Sequence, residues 1–338
     1  MKTYLFAYSK KGVETAERIA AILEGDKLFY AAENHAGGAF MPIEKPSALL
    51  YERAFSDADA LIFISSCGIA VRSIAPFIKD KTTDPAVIAV DEAGSFAVPV
   101  LSGHIGGANA LARSIAKALG AVPVITTATD VRGRFCADDW AARHGFALSD
   151  MGAAKAVSSA ILEKDLPLVC DLSVKGELPS GVYLGSSGEV GIAISYKTAE
   201  PFAKTLRIIP RCLYLGIGCR RGSPKELIES AVEAVFAENG LDMRAVRSAA
   251  SITMKSDEAG LLEFCREAGL KIDFYSAEEL RRAEGDFTPS EFVKSITGVD
   301  NVCERAAMLS SDRLLVKKTP VSGVTVAVGL KNTEVSFN

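Results

Sequence analysis

The stretch Ser102-Gly103-His104-Ile105-Gly106-Gly107-Ala108-Asn109 is the part of this chain best equipped for chemistry. An apolar run ends there, three glycines open the backbone, and an amphipathic segment follows. A helix starting at this point presents unpaired N–H groups and the positive end of its dipole to an anion. Ser102, Gly103, Gly106, Gly107 and Asn109 are therefore candidate ligand-binding residues. His104 is the one side-chain type that changes charge near neutral pH unaided, which makes it the first candidate general acid or base. Asp91 and Glu92, in the turn Asp91-Glu92-Ala93-Gly94, are candidates to orient the imidazole or to replace it as base.

Two other turns have a similar design. Ser65-Ser66-Cys67-Gly68 also links an apolar run to a helical pattern, so Ser66 and Gly68 are candidate ligand contacts. Arg72, in the first turns of that helix, is a candidate carboxylate clamp. Cys67 precedes the helix, where a thiol pKa can fall, but no residue pattern pairs it with a base. Further on, Gly216-Ile217-Gly218-Cys219-Arg220-Arg221-Gly222 follows another apolar run. Arg220 and Arg221 suit carboxylates or phosphates, or are simply solvated. The glycine spacing departs from G-x-G-x-x-G and no acidic residue closes the next strand near 250, which argues against a dinucleotide site.

The elements needed to position these turns alternate between period-two and helical patterns. Strands are expected at 3–8, 27–31, 60–64, 87–90, 96–101 and 122–127, and helices at 13–23, 48–55, 69–78 and 110–119. Ser9 to Gly12 reads as a turn and Glu33 to Pro46 as a connecting loop. The turns at 65–68 and 102–107 both follow strands, so both are expected on one rim of an α/β sheet. From 132 to 207 the pattern weakens around a helix at 153–163 and short strands near 168–171 and 182–184. A new unit opens near Ile208, with strands at 213–217, 245–252 and 271–275 and a closing hairpin around Ser322-Gly323. Helix-start signals fall at Ser223-Pro224 with Glu226, Ser276 with Glu279, and Thr288-Pro289 with Glu291. The expected fold class is α/β in three parts. These are an N-terminal α/β domain (1–131), a middle domain or structured linker (132–208) and a C-terminal α/β domain (209–338).

Composition narrows the function classes. With 338 residues, 49% apolar, 24% charged and a net charge of −4, this is an ordinary globular composition with no general affinity for nucleic acid or anionic membrane. No apolar run reaches the roughly 18 residues of a membrane span. The seven scattered cysteines form no CxxC pair, and the first residues read as a strand, so reduced thiols in the cytoplasm are expected. His35, His104 and His144 lie far apart in sequence, and no metal site is expected.

Several motifs together resemble a known family. Cys67-Gly68-Ile69-Ala70-Val71-Arg72-Ser73-Ile74-Ala75-Pro76, Val90-Asp91-Glu92-Ala93-Gly94 and Leu101 to Asn109 are similar to the N-terminal domain of the cobalt-precorrin-5A hydrolase family, from the anaerobic branch of cobalamin biosynthesis. Gly216 to Gly222, Thr288-Pro289-Ser290-Glu291-Phe292-Val293, Gly298 to Ala307 and Leu314 to Thr319 resemble its C-terminal domain, which is shared with a protein of the aerobic pathway. The resemblance spans about residues 48–331. It implies a cobalt-corrinoid substrate whose δ-lactone is opened by water, with loss of acetaldehyde to give cobalt-precorrin-5B. It also implies that cobalt arrives within the substrate and no further cofactor is needed. Brief contacts with other enzymes of the pathway are expected. On this reading His104 is base and then acid, the N–H groups around Gly106 and Gly107 meet the oxyanion or a carboxylate, and Arg72, Arg220 and Arg221 bind peripheral carboxylates. The alternative is a non-catalytic corrinoid carrier.

Overall fold

The structure, a computed structural model, describes residues 1–80 and 83–337. It separates into two compact units, Met1–His144 and Gly145–Asn338. The first break therefore falls after His144, thirteen residues beyond the expected boundary at 131, and none falls at 208.

The first unit is built on strands β1 (Thr3–Ala7), β2 (Lys27–Ala31), β3 (Phe40–Pro42), β4 (Ala60–Ile64), β5 (Ala86–Val90), β6 (Phe96–Leu101) and β7 (Val122–Pro123). They form one seven-stranded sheet in the order β3-β2-β1-β4-β5-β6-β7. Strands β1 to β5 are parallel, whereas β6 and β7 run the other way. Its main helices are α1 (Lys10–Ala20), α2 (Ser47–Asp57), α3 (Cys67–Ile74) and α4 (Ala108–Leu119), followed by the short α5 (Ala128–Val131) and α6 (Ala137–Arg143). The sheet is covered on both faces, which is why β4 reads as an unbroken apolar run. Leu5, Ile62, Ile64 and Ile88 pack with α1 and α4, while Phe6, Leu61, Phe63 and Val87 pack with α2 and α3.

Local chemistry moved several expected boundaries. Ser9 caps α1 by accepting the Gly12 N–H at 3.1 Å, so the expected turn at 9–12 is the helix's first turn. The loop at 33–46 contributes the edge strand β3. Strand β7 ends at Pro123, and Thr129-Asp130 lies in α5 instead of at a strand end.

The second unit contains two main sheets. Strands β8 (Ala147–Leu148), β9 (Leu166–Cys170), β10 (Ser173–Lys175), β11 (Val182–Leu184), β12 (Val190–Ile194) and β13 (Lys204–Ile209) accompany α7 (Met151–Ala160). Five of these strands form the sheet β11-β9-β12-β13-β8. The other sheet, β16-β15-β14-β18-β17, uses β14 (Leu213–Gly218), β15 (Val246–Ile252), β16 (Lys271–Tyr275), β17 (Arg313–Val321) and β18 (Val324–Leu330). Strand β10 pairs with β19 (Glu334–Ser336). Helices α8 (Lys225–Glu238) and α9 (Ala259–Glu267) cover one face of the second sheet, and α10 (Ala277–Arg281) and α12 (Cys303–Met308) the other. The short α11 (Glu291–Thr297) lies between them in sequence.

The two sheets of this unit are tied by a buried ion pair. Arg207 on β13 donates to Asp242 at 2.7 Å, and Arg244 donates to the same carboxylate at 2.7 Å. Burial alone would raise the Asp242 pKa, but the hydrogen bonds from Arg244 and Arg207 bring it down to about 2. A carboxyl lowered by folding stabilises the native state fully above its unfolded pKa of 3.8, and that contribution is lost as pH falls toward 2. It amounts to about 2 kcal/mol. Urea unfolding of the wild type should lose this increment between about pH 4 and 2, and Asp242→Asn should flatten that part of the profile. An unchanged acid limb in the variant would contradict the assignment.

Of the three helix-start signals, one has the expected form. Ser276 and Glu279 form a reciprocal capping box. Ser223 instead donates to the Arg220 carbonyl at 2.9 Å, and α8 begins after Pro224 without a side-chain cap. Ser290, not Thr288, caps α11.

Candidate active site

The direction of β6 decides where His104 lies. Val87 pairs with Leu101 and Val90 with Ala97, so the turn at 102–107 emerges beside the amino ends of β4 and β5. The turn at 65–68 follows the carboxyl end of β4. The shared rim expected from sequence is therefore corrected: the two turns lie at opposite ends of strands spanning about 13 Å. The turn Asp91-Glu92-Ala93-Gly94 reads as a hairpin in the sequence and is one in the structure; by reversing β6 it sends the turn that follows β6 to the rim opposite the one that follows β4.

The His104 turn is compact. Ser102 adopts φ 56°, an unusual conformation for a residue with a side chain, and its Oγ donates to the Asp84 carbonyl at 2.9 Å. Gly106 packs against Ser102 so closely that a side chain there would overlap it. The N–H groups of Gly107, Ala108 and Asn109 donate to the carbonyls of His104, Ser102 and Gly103 at 2.8, 3.1 and 2.9 Å. The Gly107 N–H offered to an oxyanion is thus already used, which corrects that expectation. The Gly106 N–H has no partner among the described residues.

The partner of His104 is Asp130. His104 Nε2 lies 3.2 Å from its carboxylate and 3.3 Å from the Thr129 hydroxyl. Asp130 also accepts Arg113 at 2.6 Å, Asn109 Nδ2 at 3.1 Å and the Thr127 hydroxyl. Burial pushes the Asp130 pKa up, but bonds from Thr127, Arg113 and His104 outweigh it and hold the group below its ordinary range. A carboxylate at this position accepts a hydrogen bond from Nε2–H, which leaves the lone pair on Nδ1. That nitrogen faces Asp138, 3.9 Å away, a gap too long for a direct hydrogen bond and suited to a bridging water. Cys136 donates its thiol proton to Asp138 at 3.0 Å, and burial raises the thiol pKa. His104, Cys136 and Asp138 place ligand atoms within 4.8 Å of one another, a spacing that could hold a metal ion. As it stands, the thiol is protonated and closes the set by hydrogen bonding.

The acids expected near His104 lie elsewhere. Asp91 accepts the N–H groups of Ala93, Ser95 and Phe96 at 3.2, 2.7 and 2.6 Å and so builds its own hairpin turn. Glu92 accepts the Ser9 hydroxyl at 2.6 Å. Both follow the carboxyl end of β5, the far rim from His104. Asn109 is 3% exposed and its Nδ2 donates to Asp130, so in this structure it serves to position that carboxylate. Asp130, Asp138 and Thr129 were missed because they converge on His104 only after the chain leaves β7. The one local signal was an acidic residue shortly after a strand.

Ser66 and Gly68 begin α3 at the carboxyl rim, and Arg72 lies further along that helix without an ion pair or hydrogen bond among the described residues. The same rim has a cavity of about 510 Å³ lined by Tyr8, Glu33, Asn34, Lys45 and Tyr51 among others, the usual ligand position in open α/β sheets. Cys67 is exposed and has no base bonded to it among the described residues.

In the second unit Gly216 serves packing. A side chain there would collide with the Cys303 carbonyl of α12, so the glycine lets helix and sheet approach. Arg221 pairs with Asp257 at 2.6 Å, and Arg220 lies over Gly323 without an ion pair among the described residues. Replacing Arg220 and Arg221 together with alanine should raise KM for a polycarboxylate substrate about tenfold while kcat changes little. Steady-state kinetics check this, and an unchanged KM would leave them as surface charge.

Fold and site together define a two-unit α/β protein whose first unit carries a His–Asp pair suited to acid–base hydrolysis. The family models described as Cobalamin synthesis G N-terminal and Cobalamin synthesis G C-terminus match residues 50–130 and 213–329. A cobalt-precorrin-5A hydrolase from Salmonella typhimurium is 34% identical over 96% of this chain and 97% of its own length. One from Priestia megaterium is 33% identical over 96% and 93%. Protein CobE from Sinorhizobium sp is 31% identical over 34% of this chain and 78% of its own length. The chain belongs to the cobalt-precorrin-5A hydrolase family.

Proposed function

We propose that this chain hydrolyses cobalt-precorrin-5A to cobalt-precorrin-5B and acetaldehyde. Near-full-length similarity to relatives named for this hydrolase favours the enzyme over a carrier. The observation that carries the mechanism is the His104–Asp130 pair inside the Leu101 to Asn109 motif.

The reaction begins with water held between His104 Nδ1 and Asp138. His104 takes a proton as the water oxygen adds to the lactone carbonyl, and Asp130 stabilises the imidazolium that forms. The Gly106 N–H, without a partner among the described residues, is the backbone donor assigned to the developing oxyanion. The carbon–oxygen bond then breaks, His104 returns its proton to the leaving oxygen, and the ring-A acetate becomes free. His104 then accepts the proton of the new alcohol as the carbon–carbon bond breaks and acetaldehyde leaves, with the electron pair passing into the macrocycle. Arg72, on the rim of the sheet opposite His104, is given no part in this step. Cobalt enters as part of the substrate, and no resident cofactor is assigned.

Among the described residues no helix is long and apolar enough to cross a membrane. A cytoplasmic site of action, with brief transfer contacts to other enzymes of the pathway, fits this role. Anaerobic incubation with cobalt-precorrin-5A should release one acetaldehyde per substrate consumed. A carrier would bind the pigment and release none.

A further inference from the structure

The second unit has a cavity of about 500 Å³ that the proposed reaction does not use. Strand register builds it. Tyr214, Ser248 and Lys271 are direct partners across β14, β15 and β16, so they form one row near the amino ends of these strands. Leu213 pairs with Val246 and Tyr214 with Ser248, so Arg247 is the extra residue at a register shift, while Arg211 precedes β14 by two residues; both line the cavity. Side-chain alternation puts Tyr214 on the face of Gly216 and Ser248 on the face of Ala250. Helix α12 closes over Gly216 and Ala250, but Tyr214 remains half-buried and floors the cavity.

The charges in this cavity do not balance. Lys271 is paired with Asp273 at 2.7 Å. Arg211 and Arg247 are exposed and make no ion pair or hydrogen bond among the described residues. Two guanidinium groups at one cavity repel each other, and an oxyanion between them relieves that cost. We infer that this cavity binds a small polyanion carrying at least two carboxylate or phosphate groups. Each arginine takes one group through its fork of donors, and the hydroxyls of Tyr214 and Ser248 complete the floor. The volume lies within the usual range for small-molecule sites. The site is separate from Arg220 and Arg221, which follow the opposite, carboxyl end of β14.

The oxyanions have two sources, the peripheral carboxylates of a corrinoid or a free small anion. Calorimetric titration of the full chain with inorganic pyrophosphate and with tricarballylate, at low ionic strength, tests the site. At least one of the two should bind saturably at one site per chain. Arg211→Gln with Arg247→Gln should weaken that binding tenfold or more, with an unchanged circular dichroism spectrum. Absence of saturable binding of either anion, or equal binding by the double variant, overturns the inference. The double variant's KM for cobalt-precorrin-5A then separates the sources. A raised KM, with competition by tricarballylate, assigns the site to the substrate's carboxylates, and an unchanged KM assigns it to a free anion.

Discussion

Replacement of His104 by alanine is expected to lower kcat for acetaldehyde release by about 10²–10⁴-fold, the usual contribution of a positioned acid or base. KM should change little, because the imidazole acts on water and the leaving oxygen and not on the substrate's periphery. Asp130→Asn offers a sharper check. Asparagine keeps the shape and can still accept from Thr127 or Arg113, but it removes the charge that fixes the Nε2 proton and steadies the imidazolium. Its kcat should fall about 10²-fold or more. Turnover near wild type in His104→Ala, measured anaerobically, would remove histidine from the chemistry. Wild-type turnover in Asp130→Asn alone would leave His104 acting without its carboxylate.

The largest stability effect is expected at Glu304. This residue is fully buried in α12. Its carboxylate accepts the N–H and hydroxyl of Thr288 at 2.7 and 2.9 Å, Asn301 Nδ2 at 2.7 Å and the Lys318 N–H at 2.6 Å. It thereby joins the 288 segment, the start of α12 and strand β17 around one acceptor. Glu304→Ala strands these donors away from water and should cost about 3–5 kcal/mol. Glu304→Gln keeps the shape but points an amide NH₂ at donors, so a smaller loss of about 1–3 kcal/mol is expected. Denaturant unfolding checks both. A loss below about 1 kcal/mol in Glu304→Ala would mean that water reaches these donors when the carboxylate is removed.

Much of the architecture was legible because local signals agreed with the packing. The unbroken apolar run at Ala60–Ile64 marked a strand covered on both faces, and the capping box at Ser276 marked a helix start. At Ser223 the local signal was outvoted, since its hydroxyl is committed to the Arg220 carbonyl. The continuity of the second unit across 208 was not legible, because Arg207, Asp242 and Arg244 join residues distant in sequence.

The sequence by itself determined that this is an α/β protein, that its motifs belong to the cobalt-precorrin-5A hydrolase family, and that His104 in a glycine turn is the leading acid–base candidate. Those conclusions depend on residue types and on spacings of a few positions, which the chain carries locally. The tertiary structure decided which carboxylate serves that histidine. The hairpin between β5 and β6 reverses the chain, leaving Asp91 and Glu92 at one end of the sheet and carrying His104 to the other. Asp130 and Asp138 reach it there through the segment after β7. Proximity along the chain favoured Asp91 and Glu92, but strand direction gave the imidazole its partner.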